Sequence, residues 1–185
     1  MRGAVLLLCF SASLSLGCQT VSVNPLASDN VIEFDEGLLG VWITADPETG
    51  REEYRTLITA SGKGYRLQVQ GQPAHTEAKL VRLGDTRILD MTYAEKPDEP
   101  AHHFFLIQGI GDSRTIACLD LQKIQQIVKE KEPTLALAKP NDRWAFTHLD
   151  WSTEQLQGFF SRHGEAAFID SEYRESMKRL PADKK

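Results

Sequence analysis

The chain is short of positive charge and of cysteine. Its 185 residues include 21 basic and 26 acidic residues, and cysteine occurs three times. No basic cluster is available to displace counterions from phosphates, which excludes nucleic acid as a partner. The same deficit argues against an electrostatic grip on anionic lipid headgroups. A chain of this length corresponds to one domain that can bury a core of its own.

The sequence also lacks an apolar run of the length that spans a bilayer. The apolar and small residues near its start cover residues 4–16, whereas a spanning helix needs about 20. Arg2 precedes this stretch, an arrangement typical of a secretion signal peptide. We expect residues 1–17 to be removed, which leaves 20 basic and 26 acidic residues and a net charge of −6.

The stretch ends in the sequence Leu14-Ser15-Leu16-Gly17-Cys18. This resembles the lipobox of bacterial lipoproteins, although the favoured pattern has Leu where this chain has Ser15. The resemblance implies that diacylglycerol is joined to the Cys18 thiol and that the chain is cut before it. Two or more acyl chains hold a protein firmly at a membrane, so the resemblance predicts a lipid-anchored protein of the cell envelope. An ordinary signal peptide with a chance cysteine is the alternative.

Two further expectations follow from the lipoprotein resemblance. In enteric bacteria an Asp after the cysteine tends to retain lipoproteins in the inner membrane. Gln19 stands there, which favours the outer membrane, facing the periplasm. With Cys9 removed and Cys18 lipidated, we expect no intramolecular disulfide in the mature protein. Its apolar neighbours then predict that Cys118 is a small buried hydrophobic residue.

Residues 18–30 are polar and aperiodic, and we expect a flexible tether with a reach of about 20 Å. Short strands should follow. The clearest alternates Tyr65, Leu67 and Val69 with polar residues, the period of a strand with one wet face. Strands are predicted over residues 39–44, 53–59, 63–70, 76–83, 86–93, 103–110 and 114–119.

The hydrophobic period then changes. Leu121, Ile124 and Val128 recur at helical spacing, which predicts a helix over 121–131 with Asp120 as its N-cap. Two more strands are expected over 134–138 and 143–149. Ser152 and Gln155 match a capping box that opens a helix, and residues 151–185 are expected to form a C-terminal helical segment.

These elements predict a mainly β domain over residues 31–150. The expected fold is an antiparallel up-and-down β-barrel of eight or nine strands, with a helix inserted before the last strands. Closure removes both sheet edges, and eight strands enclose room for side chains or one small ligand. A two-sheet sandwich is the alternative.

The start of the first strand, Leu38-Leu39-Gly40-Val41-Trp42, resembles the Gly-x-Trp element that opens lipocalins and related barrels. The resemblance implies that Gly40 lets the chain enter the barrel floor and that Trp42 plugs its closed end. A late-strand arginine often covers this tryptophan, and Arg114 and Arg143 are both candidates. Residues 38–157 also resemble a family of uncharacterised bacterial lipoproteins, a resemblance that brings no activity. Its marks here are Leu38–Trp42, Tyr65-Arg66-Leu67, the run 80–84 and the run 152–157.

The sequence contains no constellation typical of an enzyme or a metal site. It has no Gly-x-Ser-x-Gly nucleophile motif. His102 and His103 are adjacent, so on a strand they point to opposite faces and cannot share an ion. We therefore expect no enzymatic activity, no metal and no cofactor.

Apolar faces of the strands leave two functions open. In the first, the barrel binds a small apolar ligand or lipid, because such pockets are mostly apolar with few polar groups. In the second, the barrel is filled and serves as a structural or protein-interaction module, whose partner the sequence does not identify. The candidate cavity lining consists of Tyr65, Leu67, Val69, Leu89, Met91, Tyr93, Trp144 and Phe146.

Overall fold

The computed structural model describes residues 20–45, 49, 51–93, 101–137, 147–170 and 174–181, without the side chains of residues 53, 93, 147 and 148. Within these ranges, eight strands close into a barrel. They are β3 (Gly40–Ala45), β4 (Glu52–Ser61), β5 (Gly64–Val69), β6 (His75–Leu83), β7 (Thr86–Tyr93), β8 (His102–Gln108), β9 (Ser113–Cys118) and β11 (Glu175–Arg179).

The barrel is an antiparallel meander that its last strand closes. Strands β3 to β9 pair in chain order, and β11 lies between β9 and β3. Met177 of β11 is opposite Thr44 on one side and Arg114 on the other. This closed ring confirms the predicted barrel. The sandwich alternative is wrong because β11 pairs with both β3 and β9 and leaves no open sheet edge between them.

Alternation along the strands places apolar side chains inside the barrel. Tyr65 is buried whereas Arg66 is exposed, and Leu80 is buried opposite Leu89. Tight hairpin turns connect successive strands. Gly84, for example, has a φ of 61°, a left-handed conformation that glycine adopts without a Cβ penalty.

The protein has two apolar cores that share the barrel wall. The inner core fills the barrel and includes Trp42, Ile58, Leu80 and Ile107. The outer core lies between the outward faces of β6 to β9 and two helices, α1 (Leu121–Lys131) and α2 (Thr153–His163). The barrel wall on this side is therefore apolar on both faces.

Both helices begin where the sequence predicts. The Asp120 side chain accepts from the backbone of Gln122 and Lys123 at the start of α1. In α2 the Ser152 hydroxyl accepts from the Gln155 backbone and the Gln155 side chain accepts from the Ser152 backbone, which completes the capping box. These side chains satisfy backbone donors that a helix start leaves without partners.

Residues 20–30 do not form a flexible tether, and that expectation is wrong for this part of 18–30. Strand β1 (Thr20–Ser22) pairs with β8 and with β10 (Thr147–Leu149), and strand β2 (Ile32–Glu33) pairs with β6. Val21 and Leu26 are 1% and 0% exposed. The aperiodic sequence concealed this role because the segment is held by hydrogen bonds to the rest of the fold instead of by a repeating apolar face.

Two other expectations require correction. Residues 134–137 form turns and no strand, and Leu135 packs into the outer core instead. The segment 151–185 is helical over α2, but Glu175–Arg179 is the strand β11. Met177 is the buried side chain of β11, so this short strand has too few apolar residues for its period to be recognised.

Candidate functional site

The two ends of the barrel differ. At one end, the floor, β4 ends and β5 begins, and the chain enters β3 through a 3-10 turn at Glu36–Leu38. At the other end, the mouth, β5 and β7 end and β6 and β8 begin. The two ends differ in how far solvent reaches their inward-facing side chains.

Trp42 closes the floor. Its side chain is fully buried and its indole Nε1 donates to the Leu38 carbonyl at 2.8 Å. The guanidinium carbons of Arg114 and Arg179 lie 5.8 and 5.9 Å from the ring centroid, within the range of cation–π attraction. Arg114 therefore covers Trp42 from a late strand, and Arg143 lies outside the described residues.

Gly40 has the conformational role that the Gly-x-Trp element implies. Its φ is 126°, a value that L side chains rarely adopt. A Cβ at this position would also lie 3.3 Å from Cδ of Arg179. Glycine thus allows the chain to turn into β3 while Arg179 passes close to the backbone.

A network of ion pairs seals the floor beside Trp42. Asp35 pairs with Arg87 at 2.5 Å and with Arg114 at 3.6 Å, and its backbone N–H donates to the Tyr65 hydroxyl at 2.6 Å. Partial burial raises the pKa of Asp35, but the hydrogen bonds from Arg87 and Gly37 and the charges of both arginines outweigh it. The pKa of Asp35 consequently lies below its ordinary value, and the floor has no apolar opening at this network.

The mouth has inward-facing side chains that solvent reaches. Leu67 and Val69 on β5, Thr76 on β6 and Phe105 on β8 are half-buried. Their strand positions alternate with outward residues, so they face the interior. Tyr54 on β4 and Glu175 on β11 also face inward and are half-buried, so accessible positions occur on both sides of the barrel.

The predicted lining residues are distributed over both ends. Leu67 and Val69 lie at the accessible mouth, whereas Leu89 and Met91 belong to the buried inner core. Tyr65 is 1% exposed and stands at the floor. Trp144, Phe146 and the side chain of Tyr93 lie outside the described residues, as does Cys18.

The sequence interpretation missed His103 as an inward residue at the mouth. It is directly opposite Met91, whose side chain lies in the inner core, and it is half-buried. Burial and the neighbouring charge of His102 lower the pKa of His103 to about 4. His103 therefore stays neutral at physiological pH and is an uncharged polar group in the lining.

The adjacent histidine points the other way, as predicted for neighbours on a strand. His102 Nδ1 lies 2.7 Å from Asp90 Oδ1 on the outer face of the barrel. Among the described residues, no three His, Cys, Asp or Glu side chains are grouped as metal ligands. The alternation of side chains along β8 places His103 inside the barrel and His102 on its outer face.

Cys118 is buried at the end of β9, as its apolar neighbours predict. It is 7% exposed and is disulfide-bonded in the full chain. The remaining cysteines of the chain are Cys9 and Cys18, and both lie outside the described residues. The expectation of no intramolecular disulfide concerns the mature lipidated protein and stays a prediction.

Comparisons with known proteins found no match to a family model, a curated protein or a solved structure. None of the helices in the described ranges has the length and apolar character needed to cross a membrane.

Proposed function

We propose that this protein is a lipid-anchored lipoprotein of the cell envelope whose barrel binds one small apolar molecule at its mouth. The observation that carries the proposal is the difference between the two ends. Inward side chains are buried and sealed by ion pairs at the floor, whereas Leu67, Val69 and Phe105 are accessible at the mouth. Binding requires no catalytic group, and we propose no enzymatic activity.

The dimensions and chemistry of the mouth favour a small apolar ligand. An eight-stranded barrel holds at most one such molecule above a filled floor. The accessible lining is apolar apart from Tyr54, Thr76, the neutral His103 and Glu175. A few polar groups in an apolar lining are the usual means by which a pocket orients an apolar molecule.

The anchor rests on the sequence that ends at Cys18. The uncharged run, the resemblance of residues 14–18 to a lipobox and the residue Gln19 together support an outer-membrane location facing the periplasm. An anchored barrel would meet apolar molecules where they are concentrated. Lipidation uses the Cys18 thiol, so the proposal requires that Cys18 is not disulfide-bonded when the lipid is attached.

A filled barrel that docks a protein partner is the second candidate. Leu57 is 45% exposed on the outer face of β4 and is directly opposite Val41 of β3. The helices cover β6 to β9 and leave this face open. An exposed leucine beside a half-buried valine on a sheet face is a modest feature of an interaction surface.

Titration with fluorescent fatty acids of several chain lengths separates the two candidates. The protein is the chain from Gln19 onward, which retains every described residue. Val69→Trp fills the mouth, and Leu57→Trp places the same side chain on the outer face as the matched control. We expect saturable binding that Val69→Trp abolishes and Leu57→Trp preserves. Thr76→Met is a second blocking variant if Val69→Trp does not fold.

Equal binding by both tryptophan variants, or no binding at any chain length, would favour the filled barrel. The anchor is tested separately by expressing the full chain in a bacterium and separating the lysate into detergent and aqueous phases. The wild type should enter the detergent phase and Cys18→Ser should not. Normal cleavage and unchanged separation of Cys18→Ser would show that the lipobox interpretation is wrong.

A further inference from the structure

A cavity lies outside the barrel, on the outer face of its wall. Its volume is about 130 Å³, enough for a molecule of a few non-hydrogen atoms. Its base is the outer face of β6, β7 and β8. Its walls are residues 25–27 of the N-terminal segment and the turn that joins β4 to β5. We name it the outer cavity. Its polar lining residues are Ser61, Lys63, Glu77, Lys79, Asp90, Thr92 and His102.

The acidic groups of the outer cavity already have partners. Asp90 is 4% exposed and accepts from the backbone of Leu26 at 2.8 Å, from Ala27 at 3.0 Å and from His102 at 2.7 Å. Glu77 pairs with Arg66 at 2.8 Å and lies 3.5 Å from His75. The charge of Glu77 is therefore balanced by Arg66, and the oxygens of Asp90 are occupied by hydrogen bonds, so that its remaining charge faces Lys79, directly opposite it on β6.

The basic groups retain free capacity. Lys79 is exposed and has no ion-pair partner among the described side chains, and Lys63 has only an exposed pair with Asp29. His102 also lines the cavity, with its Nδ1 held by Asp90. Thr92 is directly opposite His102 across the ladder and adds a hydroxyl.

We propose that the outer cavity binds a small oxyanion, either a carboxylate or a phosphate group. The oxyanion pairs with Lys79 and Lys63 and takes a hydrogen bond from the Thr92 hydroxyl. Buried Asp90 fixes the imidazole of His102 in the wall of the cavity, where the ring reports an arriving anion. The site is independent of the mouth and of the lipid anchor.

The test follows the ring signals of His102 by NMR while inorganic phosphate or acetate is added to the full-length protein. Sodium chloride at equal ionic strength is the reference. We expect a saturable shift with at least one of the two anions. Lys79→Ala should weaken binding by about fivefold, which corresponds to about 1 kcal/mol, the upper range for an exposed charge pair.

Control variants separate a built site from general attraction of anions. Lys129→Ala removes an exposed lysine from α1 and should leave the affinity unchanged. Thr92→Val keeps the side-chain shape and should weaken binding. A shift that chloride reproduces, or equal affinity in the Lys79 and Lys129 variants, would overturn the proposal.

Discussion

Trp42 is the side chain that closes the floor of the barrel. Its ring lies in the inner core, with the guanidinium carbons of Arg114 and Arg179 at 5.8 and 5.9 Å from its centroid, and its Nε1 donates to the Leu38 carbonyl. Trp42→Ala should reduce the free energy of unfolding by about 3–5 kcal/mol, the usual cost of removing a buried aromatic ring. Chemical denaturation measures the loss.

Leu57→Ala is the matched control for Trp42→Ala because Leu57 is 45% exposed on the adjacent strand. Its loss should stay below about 1 kcal/mol. A similarly small loss for Trp42→Ala would contradict the assignment of Trp42 as the plug of the floor.

His103 predicts how stability changes with pH. Its pKa is about 4 in the folded protein and about 6.5 in an unfolded chain. Between these values the unfolded state takes up a proton that the folded state does not. Stability should therefore fall as the pH drops from about 6.5 to about 4, by about 3 kcal/mol at most.

His103→Gln should remove this slope, whereas His75→Gln should retain it. Denaturation midpoints measured across this range provide the readout. Asp35 and Glu77 have pKa values below their ordinary ones, so the stability that they contribute is lost below about pH 4 and outside this window. An unchanged slope in His103→Gln would assign the titration to another group.

At the scale of elements, residues 20–30 act as a strap that joins the barrel to α2. Thr153 Oγ1 donates to the Pro25 carbonyl at 2.8 Å, and Gln157 Nε2 donates to the Leu26 carbonyl at 2.9 Å. On the other side, Asp90 accepts from two backbone N–H groups of the same strap. The strap is thus held by both layers that form the outer core.

Asp90→Ala should detach the strap and reduce the free energy of unfolding by about 3 kcal/mol. It leaves buried donors without a charged acceptor. Limited proteolysis should also begin to cut within 20–30. Asp112→Ala is the control because it removes an exposed pair with Arg179, which contributes about 1 kcal/mol or less. Equal losses in both variants would contradict the role of Asp90.

The sequence predicted the strands whose side chains alternate, and it failed where they do not. The alternation at residues 65–69 and the caps at Asp120 and Ser152 correspond to β5, α1 and α2. Strands β1 and β11 are short and depend on partners that are distant in sequence. Local periodicity carries no information about those partners.

The candidate site could be predicted only in part from the sequence. The sequence identified the plug, Trp42, and the apolar faces of β5 and β7. It did not indicate which inward residues the floor buries, because that depends on Asp35 and Arg87 meeting across 52 positions. The sequence did not predict the outer cavity, because the strap that forms its wall was expected to be a flexible tether.

At the scale of the whole molecule, both ends of the described chain complete the fold. The strap covers the outer face of the barrel, and β11 closes the ring between β9 and β3. Without β11 the meander would have two open edges, and the inner core would lose Met177, which is 7% exposed in the closed barrel. The closed barrel therefore depends on a strand that follows two helices in the sequence.

A chain that ends at Arg174 should consequently lose cooperative unfolding and bind a hydrophobic dye. Ending the chain at Pro181 instead keeps β11 and should preserve both the unfolding midpoint and the low dye binding. The comparison isolates β11 because both variants retain the strap, α1 and α2. Thermal unfolding followed by circular dichroism provides the readout. A cooperative transition at the wild-type midpoint in the shorter chain would show that ring closure does not stabilise the barrel.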